Sequence, residues 1–168
     1  MKLRIFVLFF SIIIFSFAQK NYPIPHKTPT LLFYIQHSLN RNTYVYELNL
    51  EKGMINIDPI KVYRINYEDK RQQENLSLLQ RKYAYGVNYL SSDKKKFNLS
   101  ASKSIPMFLK TDGKHYWIEI EINKRAIKLD RIYIQSNKNT KGLNTKVEEL
   151  IFYGRDIKGN LIQEKFIP

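Results

Sequence analysis

The stretch from Leu31 to Leu50 reads LLFYIQHSLNRNTYVYELNL, two alternating runs joined by a short polar turn. Leu31, Phe33 and Ile35 alternate with Tyr34 and Gln36 on the way in, and Tyr44, Tyr46, Leu48 and Leu50 alternate with Val45, Glu47 and Asn49 on the way out. A period of two places one set on the core face of a strand and the other on the opposite face. Asn40 and Asn42 supply the turn, because their side chains tolerate left-handed backbone and hydrogen-bond to the nearby main chain. The stretch is a β-hairpin, and most of the chain beyond Leu50 repeats its pattern.

Downstream, Glu51 to Pro59 contains Gly53 and Pro59 and is expected to form a loop before a third strand, Ile60 to Glu68, whose odd positions Tyr63, Ile65 and Tyr67 face the core. Further strands are expected at Phe97–Ala101, Met107–Lys110, Tyr116–Asn123, Ala126–Gln135, Val147–Tyr153 and Leu161–Ile167. Asp112-Gly113 and Lys158-Gly159-Asn160 mark turns between them. Ile127 and Leu129 lie on one parity and Ile132 and Ile134 on the other, which predicts a bulge near Asp130. The segment 137–146, NKNTKGLNTK, has no apolar period and reads as a mobile loop.

One segment changes period. Leu76, Leu79, Tyr83 and Val87 fall at helical spacing, with Asn75 as N-cap and Gly86 as C-terminal stop, so a short helix over about 76–84 is expected to pack its apolar stripe on the sheet. The fold class that results is mainly β: a single antiparallel β-meander domain over residues 31–168, barrel-like or a sandwich, with that one packed helix. Bulky Tyr34, Tyr46, Tyr63 and Tyr116 beside Phe33 and Ile35 are expected to fill the interior.

Ahead of the hairpin, residues 19–30 carry three prolines and should be an extended segment without regular structure. Residues 1–18 read as a secretory signal peptide: Lys2 and Arg4 open it, Ile5 to Phe17 is apolar, and Ser16 and Ala18 are the small residues of a cleavage site. Export to the periplasm or the extracellular space is expected, with no membrane span left after cleavage. The chain has no cysteine, hence no disulfide framework and no lipoprotein anchor. Without Lys2 and Arg4 it retains 26 basic against 15 acidic residues. That excess favours anionic partners such as acidic glycans and phosphorylated lipids of the cell envelope, and export argues against nucleic acid.

No arrangement of residues dictates a reaction. There is no cysteine nucleophile and no serine in a G-x-S-x-G elbow. His26, His37 and His115 are widely spaced and outside any metal-binding motif, so neither a metal site nor a cofactor is expected. Glu119 and Glu121 share a strand face and could form an acid and base pair, but a solvated outer face explains them as well. His37 shares the parity of Phe33 and Ile35, which places it at the inner edge of the core with a ring nitrogen bonded to backbone. Arg81 and Tyr85 at the helix end offer a cation and an amphipathic ring to an anionic ligand. The candidate binding residues are therefore Gln36, His37, Asn40, Arg81 and Tyr85, gathered at a rim rather than inside, and no catalytic residue is assigned.

Five segments together resemble one family. LLFYIQHS (31–38), NRNTYVYELNL (40–50), PIKVYRINYE (59–68), LSLLQRKYAYG (76–86) and ELIFYGRDIKGNLIQEKFIP (149–168) are similar to a family of secreted proteins of Gram-negative bacteria, domain of unknown function 4833. The resemblance covers nearly all of the chain after the signal segment and implies secretion and a single domain; it brings no catalytic residues. The functional expectation is an exported, non-enzymatic binding or accessory module of the periplasm or cell envelope. The alternatives are an enzyme acting on cell-envelope polymers and a small-molecule carrier with an internal cavity.

Overall fold

A computed structural model describes residues 22–68, 72–139 and 145–168; the expected signal peptide at 1–18 and part of the loop expected at 137–146 lie outside them. Among the described residues eleven strands form one curled sheet, a half-barrel. They are β1 (Leu31–His37), β2 (Thr43–Glu51), β3 (Met54–Ile65), β4 (Gln73–Asn75), β5 (Val87–Tyr89) and β6 (Lys96–Leu99), then β7 (Ser102–Thr111), β8 (Tyr116–Ile122), β9 (Arg125–Ser136), β10 (Val147–Arg155) and β11 (Leu161–Phe166). The mainly β, barrel-like domain with one short helix is borne out, and β1 with β2 is the hairpin read from Leu31–Leu50.

The sheet departs from a pure antiparallel meander at one pair, because β1 runs parallel to β9. The cause is a fork. Residues Arg125–Leu129 of β9 pair with β8, residues Arg131–Ile134 pair with β1, and the opposite edge of β9 pairs with β10 along Lys128–Ser136. Tyr153 faces Arg131 while the next residue, Gly154, faces Leu129, so Asp130 is the extra residue of a bulge. That bulge is the one expected from the parity switch, and it sits where one edge of β9 changes partner. Two arms leave this edge, β1-β2-β3-β4 and β8-β7-β6-β5, and β4 and β5 are the two ends of the strand order.

The main core lies within the curl and contains Phe33, Ile35, Tyr46, Phe97, Met107, Ile118, Ile120, Ile127, Ile132 and Phe152. Phe33 and Tyr46 stack with ring centres 4.2 Å apart. A second cluster lies on the other face of β1–β3, where Val45, Tyr63 and Ile65 are joined by Leu31 and Tyr34. This corrects two expectations. Tyr34 and Tyr63 fill the outer cluster and not the interior, and the odd positions of β3 face that cluster while Ile60 and Val62 reach the main core. The extended N-terminal segment shows why the outer face needs apolar residues: Pro23 and Pro25 are buried, and the Pro23 carbonyl accepts from Gln36 Nε2 (3.4 Å) and Thr43 Oγ1 (2.6 Å).

The loop expected over 51–59 is mostly strand. Lys52 and Gly53 adopt left-handed φ of 52° and 80°, a tight two-residue turn that lets β3 start at Met54. Pro59 falls where the β2–β3 register shifts between Leu48 and Leu50, so its missing N–H interrupts no regular ladder. Two short strands, β4 and β5, are absent from the sequence reading because three residues are too few for an alternation to register.

The helix is shorter and differently built than expected. A single α turn, α1 (Leu78–Gln80), runs into a π-helical turn at Arg81–Tyr85. Its N-cap is Ser77, in a reciprocal capping box with Gln80, and not Asn75, which belongs to β4. Leu76 ahead of it is buried and Tyr85 at its end packs on the core, but Leu79 and Tyr83 are exposed, so the stripe does not lie on the sheet. The π turn widens the backbone spacing, which takes these side chains off the face that a regular helix would present. Gly86 ends the turn with an ordinary φ of −68°; glycine is required because a Cβ there would lie 1.9 Å from the Arg81 carbonyl oxygen.

Candidate binding site

The five residues singled out in the sequence fall in two places. Gln36, His37, Asn40 and Tyr85 gather at one end of the curl. Gln36 is buried, its amide donating to the Pro23 carbonyl and to Thr43 Oγ1 (3.1 Å). His37 is nearly buried, as its parity implied: Leu39 N–H donates to Nδ1 (3.3 Å), Nε2 lies 2.7 Å from Asn40 Nδ2, and the His37 carbonyl accepts from the Tyr22 hydroxyl (3.0 Å). Asn40 Oδ1 accepts from Asn42 N–H at 2.9 Å, the local bond expected of a turn asparagine, although neither residue takes up left-handed φ.

Aromatic rings complete this end. Tyr44 and Tyr85 stack with centres 3.5 Å apart, and the His37 ring lies 6.1 Å from Tyr44 and 6.3 Å from Tyr85. Burial, followed by the neighbouring Tyr44 and Tyr46, pushes the Tyr85 hydroxyl well above its ordinary range, so it stays protonated. The polar atoms of this group are spent on one another and on the chain, which makes it a clasp on the barrel end.

Arg81 lies elsewhere, in the cleft where the two arms of the sheet meet. Among the described residues β3 pairs with β4 only at Tyr63–Ile65, and β5 pairs only with β6. The outer edge of β3 before Tyr63 and the outer edge of β5 therefore face each other without a ladder. Side chains join them instead: Ile60 N–H donates to the Tyr89 hydroxyl (3.3 Å) and Lys94 Nζ, after β5, pairs with Asp58 Oδ1 (2.6 Å), while deeper in, the Tyr46 hydroxyl of β2 donates to the Tyr85 carbonyl of the π turn (2.7 Å). Burial raises the Tyr89 hydroxyl pKa, against the Ile60 bond that lowers it.

Between these edges is a cleft of about 330 Å³ whose lining includes Asn49, Asp58, Lys61, Asn75, Arg81 and Tyr89. Its volume is at the lower end of small-molecule sites, which run from roughly 300 to 1,000 Å³. Among the described residues the Arg81 and Lys61 side chains have no carboxylate partner, whereas Asp58 is neutralised by Lys94. Lys61 lies over the Tyr63 ring, 5.6 Å from its centre. Sequence reasoning missed Lys61, Asp58 and Tyr89 because nothing local in the sequence shows that β3 and β5, far apart in the chain, face each other.

A second hollow of about 180 Å³ lies inside the curl among Ile35, Tyr85, Ile105, Met107, Leu150 and Phe166. Glu119 is in an ion pair with Lys110 at 3.7 Å on the outer face of β8, and Glu121 is exposed. Among the described residues no three histidine, aspartate or glutamate side chains come together as metal ligands would.

Comparisons with curated proteins and with solved structures return no match. The family model for Domain of unknown function (DUF4833) matches residues 33–165, from the middle of β1 to the end of β11, and the chain belongs to that family.

Proposed function

We propose that the protein is an exported, non-enzymatic binding module of the bacterial cell envelope whose cleft between β3 and β5 takes an anionic group, phosphate or carboxylate. The observation that carries this is Arg81: an exposed arginine on the lining of a cleft of ligand size, with no carboxylate on it among the described residues. Guanidinium holds phosphate or carboxylate through paired, charge-assisted hydrogen bonds, and Lys61, its amine over the Tyr63 ring, adds positive charge beside the cleft. The unladdered edges of β3 and β5 offer backbone donors and acceptors to the rest of the ligand. Acidic glycans and phosphorylated lipids both present such a group, and the chain's overall positive charge draws them in.

Gln36, His37, Asn40 and Tyr85 enter this reading as the clasp that fixes the barrel end, with Arg81 as the contact residue. The basic start, the apolar run and the Ser16 and Ala18 pair support export. The enzyme alternative draws no support from Glu119, whose carboxylate is occupied by Lys110. The carrier alternative has the inner hollow, whose 180 Å³ suits one aromatic ring and no more. The test is calorimetric titration with glycerol 3-phosphate and, separately, glucuronate. Binding of either that falls at least about tenfold in the Arg81→Gln, Lys61→Gln double variant is expected. No binding by the wild type, or equal binding by the variant, refutes the assignment.

A further inference from the structure

The surroundings of the cleft carry a pattern that a soluble ligand alone does not explain. Fourteen large hydrophobic side chains are exposed among the described residues, and eight of them belong to the segments that line the cleft. Leu50, Met54, Ile55 and Ile57 stand on the β2–β3 hairpin beyond Asn49 and Asp58, Ile57 with 82% of its surface in solvent. Leu78, Leu79 and Tyr83 stand on the helical turn either side of Arg81, Leu78 being 85% exposed, and Leu90 follows Tyr89. Single exposed hydrophobics need no explanation, but a concentration of them around one polar cleft marks an interaction surface.

The charge of the same segments is one-sided. Residues 49–62, 76–85 and 87–96 hold Lys52, Lys61, Arg81, Lys82, Lys94, Lys95 and Lys96 against Glu51, Asp58 and Asp93. Exposed aliphatic tips among lysines and arginines, with a tyrosine beside them, are what an anionic lipid interface selects: apolar side chains enter the acyl boundary while cations stay among the headgroups. The outward stripe of the helical turn fits as well. Its capping box and π turn hold Leu78, Leu79 and Tyr83 away from the core, so the molecule itself gives them nothing to cover.

We infer that the face around the cleft docks on a bilayer containing anionic phospholipid, with the hairpin tip and helical turn entering the interface and the cleft receiving a lipid phosphate. This rests on the anion-binding reading of the cleft and names the source of the anion. A bilayer is favoured over a second copy of the chain because the basic excess of this face would repel its own like.

The test is co-sedimentation of the mature protein with phosphatidylcholine vesicles, with and without phosphatidylglycerol, at low and physiological salt. Binding should need phosphatidylglycerol and weaken as salt screens the contact. The Ile57→Ser, Leu79→Ser double variant alters exposed side chains only and should keep its circular dichroism spectrum and its affinity for glycerol 3-phosphate, while its vesicle binding falls about tenfold or more. Equal binding to both vesicle types, or a variant that sediments like the wild type, overturns the docking. So does a protein that ignores vesicles and self-associates through this face. Vesicle binding without glycerol 3-phosphate binding supports docking and overturns the cleft assignment alone.

Discussion

The half-barrel is joined in two ways on its two sides. At β9 the arms are joined by backbone: β1, β8 and β10 all ladder onto one strand, with the Asp130 bulge letting a single edge serve two partners. Between the β2–β3 arm and the segment from the π turn through β5 the join is made by side chains, chiefly Tyr46, Tyr89 and the Lys94–Asp58 pair. A ladder brings strands within about 5 Å and leaves no room between them. Side chains hold them further apart, so the second join encloses space and leaves backbone groups unladdered, and this is where the candidate site lies.

The largest effect should come from disturbing the backbone join. Phe152 is buried in the core on β10 opposite Ile132, and its truncation in Phe152→Ala should cost about 3 to 5 kcal/mol by urea unfolding. At Gly154 an added Cβ would lie 2.2 Å from the Lys128 carbonyl oxygen, so Gly154→Ala must push β10 away from β9 and destabilise by a comparable amount. If either variant unfolds no more easily than variants of the cleft, the contrast between the two joins fails.

Next should come the buried end of the side-chain join. Tyr46→Phe removes the donor to the Tyr85 carbonyl and should cost about 1 to 2 kcal/mol. Amide hydrogen exchange sharpens the same comparison: the Ile60 amide, which donates to the Tyr89 hydroxyl at the cleft edge, should exchange faster than that of Ile132 in the β9 junction. Equal protection would mean that the cleft edge is as tightly closed as the junction.

Smaller still is the exposed Lys94–Asp58 pair. Lys94→Gln should change stability by no more than about 1 kcal/mol, with the difference vanishing at high salt, as thermal unfolding at two ionic strengths would show. The least effect is expected far from both joins, at the β7–β8 turn. Asp112 accepts from the backbone N–H groups of His115 and Lys114 and touches the His115 ring, and these bonds hold its carboxyl down at about 2. The folded turn thus takes up its proton less readily than the unfolded chain. Its contribution is complete above about pH 4 and is lost as pH falls from there to about 2. Nuclear magnetic resonance titration of the Asp112 carboxyl checks this; an unshifted midpoint would show that the turn does not hold the carboxylate.

Much of this was legible from local pattern. The hairpin at Leu31–Leu50, the alternation Ile118, Ile120 and Ile122 on β8, the bulge at Asp130 and the inward parity of His37 follow from side chains that alternate across a strand, a property of each residue and its near neighbours. The position of Arg81 at the end of a helical turn was legible too, but its surroundings were not.

Composition and local alternation are enough to specify a mainly β domain, its strands from β6 onward, its turns at Asp112-Gly113 and Lys158-Gly159-Asn160, and a basic balance of charge. Long-range pairing was needed to show that β1 lies parallel to β9, that β3 packs on both faces from Ile60 to Ile65, and that Lys61 and Arg81 line a cleft with Tyr89. The physical reason is range. Periodicity and turn chemistry act over a few residues, whereas the fork at β9 and the meeting of β3 with β5 come from pairing between segments far apart in the chain. Their partners are chosen by how the whole sheet curls to bury its apolar face.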